Sequence, residues 1–140
     1  LKKVGINVTG RASADFPSWA KRISTHDFDM TIDNVFNWGD PVIGVHRTYN
    51  SKNIKKGVIW SNTQQYSNAR VDELMELAGS TYDMAERKKY YAEFQQILSD
   101  ELPIYWLFAG PYHTVANKKL GNPPNTIWGG SAPFDRVYMK

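Results

Sequence analysis

Residues 4–36 read VGINVTGRASADFPSWAKRISTHDFDMTIDNVF, and this stretch sets the expected fold. Apolar and polar residues alternate over residues 4–8 and again from residue 28 onward, which is the two-residue period of half-buried strands. Between them, Asp15 is placed to cap a short helix that has Pro17 in its first turn. A strand, a helix and a second strand ending near Phe36 predict a βαβ unit with parallel strands.

Two longer helices are predicted further along the chain. Asn68 is the expected N-cap of a helix over residues 69–78, which carries its apolar residues on one stripe. Asp83 and Glu86 have the spacing of a capping box, and a second apolar stripe follows them to about Glu101. Both segments are therefore expected to pack an apolar face against the rest of the domain.

Further strands are predicted after these helices. Pro103 ends the second helix, and the continuous apolar run 104–109 is typical of a buried strand. Residues 112–116 are a weaker strand prediction. The expected fold class is therefore α/β: a βαβ unit, then two helices and further strands. Three or four strands are few for a closed sheet, which favours a piece of a larger domain.

Composition excludes several classes of protein. Of 140 residues, 41% are hydrophobic and 22% are charged, which is the usage of a globular chain and not of a disordered one. The absence of cysteine excludes disulfides, thiolate catalysis and cysteine-based metal sites. The net charge of +3 comes from scattered basic residues, so no nucleic-acid partner is expected.

No arrangement of residues points to catalysis, a cofactor or a metal. His26, His46 and His113 are isolated in the sequence. Phosphate-binding glycine loops and nucleophile elbows are missing. The neighbouring carboxylates Asp72 and Glu73 have the pattern of solvated charge on a helix. The protein is therefore expected not to be an enzyme, and to need no cofactor or metal.

The candidate ligand-binding site is the loop after the second predicted strand, at Asn37, Trp38, Gly39 and Asp40. Ligands of open α/β sheets bind outside the carboxyl ends of parallel strands, where this loop is expected to lie. Trp38 offers a stacking surface, and Asn37 offers donors and acceptors. Asp40 adds a carboxylate, and Gly39 exposes backbone. The alternative is a Gly-Asp-Pro turn with a tryptophan closing the sheet; the residues leave both open.

A long irregular stretch, residues 37–66, begins at this loop. Irregular segments of such length in compact domains are usually functional or poorly ordered. Arg47, Tyr49 and Asn62 lie within it. They either reach a ligand cleft or hold the loop in place, and the sequence leaves that choice open.

Short motifs follow one another along nearly the whole chain. In order they are LKKVGI (1–6), FDM (28–30), GDP (39–41), YSN (66–68), VDEL (71–74), DMAERKKYY (83–91) and QILSDELP (96–103). Each motif is weakly specific alone, but their common order and spacing are much more specific. With these motifs, the chain resembles the C-terminal portion of the family 5 extracellular solute-binding proteins, which serve ABC importers of dipeptides, oligopeptides, nickel chelates or oligosaccharides.

The resemblance implies a two-lobed, periplasmic-binding-protein-like fold of type II, of which this chain is a C-terminal fragment. Residues 1–110 would form part of the second lobe, and residues 111–140 would be a tail crossing back toward the first. It implies a periplasmic or other extracytoplasmic location, with the signal peptide upstream of the fragment. It further implies a hinged clamp that traps a solute and delivers it to the permease subunits at the membrane.

The ligand stays open within this resemblance. A peptide is the first expectation, and in peptide-binding members an aspartate just before the GDP loop pairs with the amino terminus of the peptide. The nearest position here is Asn37, which carries no charge, so an oligosaccharide, an opine-like compound or a metal chelate are the alternatives. A stand-alone interaction module is an alternative of a different class. Apolar strands without partners would favour a dimer of the fragment.

Overall fold

A computed structural model describes residues 1–110, 113–126 and 128–140. The helices are α1 (Phe16–Thr25), α2 (Val45–Tyr49), α3 (Ala69–Ser80) and α4 (Met84–Glu101). Single turns of 3-10 helix lie at Lys2–Val4, Ser51–Asn53 and Gly129–Ser131. One antiparallel pair of strands joins β1 (Leu120–Gly121) to β2 (Tyr138–Met139), with Leu120 opposite Met139.

The predicted helix caps are confirmed. Asp15 accepts a hydrogen bond from the backbone N–H of Ser18 at 2.8 Å, and proline occupies the first turn of α1. Asn68 accepts from the first-turn N–H groups of α3, and Asp83 accepts from the N–H of Glu86 in α4. Each cap satisfies N–H groups that have no partner inside the helix, which explains why the helices begin at these residues.

The core lies between α3 and α4. The predicted stripe of α3 is buried: Val71, Leu74, Met75 and Ala78 are each at most 1% exposed. Phe94 of α4 packs into the same cluster, with the other apolar residues of its face partly buried around it. The two helical stripes therefore pack against one another, as their periodicity predicts.

Asn62 lies within the irregular stretch and is fully buried. Its side-chain amide donates to the backbone carbonyls of Tyr49, Asn50 and Tyr66, at 3.2, 3.1 and 2.7 Å. Its carbonyl oxygen accepts from the N–H of Tyr66 at 2.9 Å. The side chain of Asn62 thus takes the place, at this point of the long loop, of the backbone pairing in a regular element.

The strands predicted over residues 4–8, 28–36 and 104–109 are wrong for the described part of the chain. None of these segments is a strand there. Most of their apolar side chains are exposed instead, with Ile32 at 81% and Phe108 at 83%. A strand is held by hydrogen bonds to a neighbouring strand, and no neighbour pairs with these segments among the residues described. Of the weaker prediction at 112–116, Tyr112 lies outside the described residues and the remainder is not a strand.

The predicted α/β class therefore needs correction for this chain. Its described part is a helix-rich fold with a two-stranded antiparallel sheet, and the only part of the expected βαβ unit that forms is α1. Apolar residues do alternate in these segments, but local periodicity cannot supply the second strand of a ladder.

Candidate functional site

Asp40, the acidic residue of the candidate loop, forms a two-pronged ion pair with Arg87 of α4. The two terminal guanidinium nitrogens of Arg87, Nη1 and Nη2, donate to the Asp40 carboxylate at 2.7 Å, one to each oxygen. The N–H of Val42 adds a third bond to this carboxylate at 2.9 Å. Asp40 and Arg87 are 47 residues apart in sequence, so the GDP and DMAERKKYY motifs meet through these two charged side chains.

Arg87 is held from other directions as well. Its Nε donates to the carbonyl oxygen of Ala78 in α3 at 2.8 Å. Its guanidinium lies over the ring of Tyr91, 5.5 Å from the centroid, and the hydroxyl of Tyr91 is 2.9 Å from Nε2 of His46. The base of the loop is therefore anchored to the α3–α4 corner by a network of hydrogen bonds.

The ion pair shifts the pKa of the aspartate. Hydrogen bonds from the Arg87 guanidinium lower the pKa of Asp40 to about 2, against an ordinary value of 3.8. Burial lowers the pKa of His46, which lies in the same network. At neutral pH the loop is thus held by an ionised aspartate, and the neighbouring imidazole favours its neutral form.

A pH dependence of stability follows from this pair. Because the pKa of Asp40 is lower in the folded state, its contribution is complete above about pH 4 and is lost as the pH falls toward 2. We expect Asp40→Asn to lower the urea midpoint at pH 6, with the gap to wild type closing toward pH 2. The matched control is Asp29→Asn, because Asp29 is exposed. A gap that is constant with pH would contradict the ion pair.

Trp38 is part of an aromatic stack. Its ring lies 5.6 Å from that of Phe36 with the planes 10° apart, and 5.4 Å from that of Trp128 with the planes 18° apart. Trp128 belongs to the C-terminal segment, so the stack joins two distant parts of the chain. Trp38 is partly exposed, so part of its ring lies at the surface.

The structure divides the four predicted site residues into two groups. Asn37 and Gly39 are exposed, and Gly39 adopts a positive φ of 43°, which suits glycine at this turn. Trp38 is stacked and partly exposed, whereas Asp40 is engaged with Arg87. Asp40 thus fixes a turn, while Asn37 and Trp38 remain at the surface, and ligand binding by this loop stays a prediction.

The loop folds back on Gly44, which is buried. A Cβ atom placed on Gly44 would lie 2.7 Å from the Cα of Asn37 and 2.7 Å from the carbonyl oxygen of Phe36. These contacts are with backbone, which cannot turn aside as a side chain can. Glycine is required here because the two backbone segments approach closely.

Two of the three residues left open in the irregular stretch, Tyr49 and Asn62, have structural roles. Asn62 holds the loop, as described above. Tyr49 is buried, with its ring at 85° to that of Phe94 and 5.7 Å away. Arg47 is exposed, and its carbonyl oxygen accepts from the side chain of Asn53. Tyr49 and Asn62 therefore belong to the packed part of the protein.

One carboxylate of α3 was wrongly expected to be solvated. Asp72 accepts from the backbone N–H of Ser51 at 2.9 Å, and also from the hydroxyl of Ser51. Its neighbour Glu73 pairs with Arg70 at the surface, as expected of a helical charge pair. The VDEL motif therefore contributes a side chain that fixes the 3-10 turn after α2.

A concave surface lies beside the loop. It is a cavity of about 360 Å³ lined by Phe16, Trp19, Ile32, Asp33, Asn34, Phe36 and Trp60. The ring of Phe16 lies 5.5 Å from that of Trp19 and 5.9 Å from that of Trp60. Phe36 both lines this cavity and stacks on Trp38, so the two aromatic groups are neighbours.

Sequence reasoning did not place several residues at this site. Arg87 was noted only as part of a motif, and Phe36 and Trp128 were not recognised as partners of Trp38. The complementary charges of Asp40 and Arg87 were a signal, but nothing in the sequence shows which of 17 basic residues meets this aspartate. The contact depends on the packing of α3 against α4.

The described residues contain no group of three or more His, Cys, Asp or Glu side chains arranged to hold a metal ion. None of the helices within these residues has the length and apolar character needed to cross a membrane.

Comparison with known proteins gives one informative result. The chain is 30% identical over 121 residues to the "Probable D,D-dipeptide-binding periplasmic protein DdpA" of Escherichia coli (strain K12). The chain is similar to part of a periplasmic binding protein. The match covers 86% of this chain but only 23% of that protein's length. No protein-family model matches the chain, and no solved structure matches it.

This similarity supports the resemblance in its coarser form. The relative is a binding protein by name and not an enzyme, in agreement with the lack of catalytic motifs in the sequence. It also suggests a fragment of a periplasmic-binding-protein-like domain. The chain spans about a quarter of the curated relative, so the ligand and partners of a whole protein are matters of proposal.

Proposed function

We propose that this chain is the C-terminal part of the substrate-binding component of an ABC importer of family 5. The observation that carries the proposal is the match to a dipeptide-binding periplasmic protein, which extends over 86% of the chain at 30% identity. The whole protein would capture a small polar solute between two lobes outside the cytoplasm. Its closed form would then deliver the solute to the permease subunits at the membrane, because a ligand that prefers the closed state shifts the equilibrium toward it.

The proposal assigns residues 1–110 to the second lobe and residues 111–140 to a tail that returns to the first. The exposed apolar residues support this assignment. Val4, Ile6, Val8, Met30 and Ile32 are between 48% and 81% exposed, which is costly for side chains in water. In the whole lobe, strands contributed by other parts of the protein would pair with these segments and cover them.

The candidate binding surface is the loop at Asn37, Trp38, Gly39 and Asp40. The Asp40–Arg87 ion pair fixes its base, so Asn37 and Trp38 are presented on a rigid support. Rigid presentation lowers the entropy cost of binding. Asn37 offers an amide for polar groups of the solute, and Trp38 offers a flat surface for apolar or sugar faces.

A peptide is the first candidate ligand because the relative is named for dipeptide binding. An oligosaccharide is the second candidate, favoured by the Phe36–Trp38–Trp128 stack and by the engagement of Asp40 with Arg87. Stacked aromatic surfaces suit the apolar faces of sugar rings. The uncharged amide of Asn37 can form hydrogen bonds with the hydroxyl groups of a sugar as well as with a peptide amide.

Calorimetric titration of the full-length protein tests the proposal. The protein is first unfolded and refolded to remove carried-over ligand, and is then titrated with di- to pentapeptides and with oligosaccharides. Binding at micromolar concentration or tighter supports an importer binding protein, and the class that binds identifies the ligand. If neither the peptides nor the oligosaccharides bind, the proposal is contradicted for these ligands and a stand-alone interaction module is favoured.

Substitution of Trp38 tests the assignment of the surface. We expect Trp38→Leu to weaken binding of the identified ligand about tenfold, equivalent to about 1.4 kcal/mol, because one stacking face is lost. The matched control is Tyr82→Leu, since Tyr82 is fully exposed between α3 and α4. Equal affinity of wild type and Trp38→Leu in the calorimeter would exclude the loop as a contact surface.

A further inference from the structure

The fold brings two groups of basic residues together at the C-terminal end of α1. One group lies in the last turns of this helix and the other lies in the irregular stretch. The backbone N–H of Gly57 donates to the carbonyl oxygen of Ser24 at 2.8 Å, and this bond holds the two segments against each other. The positive φ of 84° at Gly57 turns the chain at this point, which suits glycine. The basic surface formed in this way consists of Lys21, Arg22, Lys55 and Lys56.

The charge of this basic surface is not neutralised by acids in the described part of the chain. The side chains of Lys21, Lys55 and Lys56 are exposed. None of the four cations has a carboxylate within 4.0 Å among the residues described. The acid that follows α1, Asp27, has its carboxylate 3.9 Å from the guanidinium of a fifth cation, Arg11. The basic surface therefore presents a concentrated positive charge to the solvent.

Exposed apolar side chains lie beside the basic surface. The segment that follows Gly57 runs back along α1, since the ring of Trp60 lies 5.9 Å from that of Phe16 in the first turn of the helix. Val58 and Phe16 are both exposed. Cations next to exposed aliphatic and aromatic side chains are typical of surfaces that bind at the interface between a membrane and water.

The kind of cation also bears on the partner. Three of the four residues of the basic surface are lysines, whose ammonium groups are point charges on flexible stems. Such groups suit a plane of mobile phosphate head groups, whereas a single bound phosphate is typically held by arginine forks or by backbone N–H groups. The charge, its spread over two segments and the apolar neighbours together favour an anionic lipid surface.

We propose that the basic surface docks this protein on anionic phospholipid head groups. The binding is peripheral, with the lysine side chains at the head groups and Val58 at the boundary of the acyl chains. The inference goes beyond the proposed function and does not depend on it, because the basic surface lies outside the candidate loop.

Sedimentation with lipid vesicles tests this inference. The full-length protein is mixed with vesicles of equal parts phosphatidylglycerol and phosphatidylcholine, or of phosphatidylcholine alone, and the bound fraction is measured after centrifugation. Each lysine or arginine near an anionic bilayer strengthens binding about fivefold, so we expect the anionic vesicles to bind at least about a hundredfold more tightly. Raising the salt to about 1 M, which screens charges beyond about 3 Å, is expected to release the protein.

Paired substitutions locate the binding. Lys55→Gln combined with Lys56→Gln is expected to weaken binding to the anionic vesicles about twentyfold. The matched control is Lys88→Gln combined with Lys89→Gln, which removes the same charge from two neighbouring exposed residues of α4. We expect the control to change binding less than about twofold, because its lysines lie outside the basic surface. Circular dichroism of each variant shows that it is folded.

The remaining outcomes would overturn the inference. Equal weakening by the two double substitutions would show that net charge, and not this surface, is responsible. Absence of binding of the folded protein to the anionic vesicles would overturn the inference as well. Tighter binding to a single-stranded oligonucleotide than to the vesicles would assign the surface to nucleic acid and not to lipid. The proposed function is unaffected by each of these results, since solute binding is measured separately by calorimetry.

Discussion

Asn62→Leu is expected to destabilise the protein by roughly 3–4 kcal/mol, because three carbonyl groups and one N–H group lose their partner in a buried site. The substitution changes the volume of the side chain little. Its effect would therefore come from the lost hydrogen bonds to Tyr49, Asn50 and Tyr66. Urea denaturation of the purified protein, followed by circular dichroism, measures the change.

Asn53→Leu is the matched control for this prediction. Asn53 lies in the same irregular stretch, but its side chain donates only to the carbonyl of Arg47, at 3.2 Å. Its loss is expected to cost about 1 kcal/mol or less. Equal effects of the two substitutions would show that Asn62 does not hold the loop.

Gly44→Ala is expected to destabilise the protein by about 2–3 kcal/mol and to displace the candidate loop. The added methyl group would lie 2.7 Å from backbone atoms of Asn37 and Phe36. The clash with these backbone atoms can be relieved only by moving the loop itself. We therefore expect weaker ligand binding together with the loss of stability, measured by calorimetry and by thermal unfolding.

Gly79→Ala, at a second glycine, is expected to have the opposite effect on stability. Gly79 lies in α3, where a Cβ atom would meet Val42 and His46 at 3.7 and 3.8 Å, which are ordinary contact distances. Since alanine favours the helix over glycine, this change is expected to stabilise by up to about 1 kcal/mol. Destabilisation by Gly79→Ala as large as that by Gly44→Ala would contradict the described packing of the loop.

The helices could be predicted from the sequence because their signals are local. Asp15, Asn68 and Asp83 each precede their helix directly, and a cap acts on N–H groups within three residues. The apolar stripe of α3 repeats at helical spacing and is buried as that spacing predicts. Such features do not depend on distant parts of the chain.

The strands could not be predicted in the same way. Residues 4–8 and 28–32 have the correct alternation, but a strand exists only when another strand accepts its hydrogen bonds. In the described part of the chain these residues have no such partner, and their apolar side chains are exposed apart from that of Phe28, which is half-buried. The alternation therefore identifies which side chains prefer burial and not what covers them.

The candidate loop could be selected from the sequence, and it stays a prediction as a binding site, but its connections could not be predicted. The loop at Asn37 and Trp38 stood out by composition, and the structure places both at the surface. The pairing of Asp40 with Arg87 and of Trp38 with Trp128 joins residues far apart in sequence. Such contacts are determined by how the helices and the C-terminal segment pack.

Hydrogen–deuterium exchange of the full-length protein, with and without a bound peptide or sugar identified by titration, tests the central claim most directly. The claim is that the loop over residues 36–40 is a ligand-binding surface fixed by Asp40 and Arg87. We predict that ligand slows exchange in this loop and leaves exchange in the α3–α4 core unchanged. Protection that appears only elsewhere, with residues 36–40 exchanging as fast as in the free protein, would contradict it.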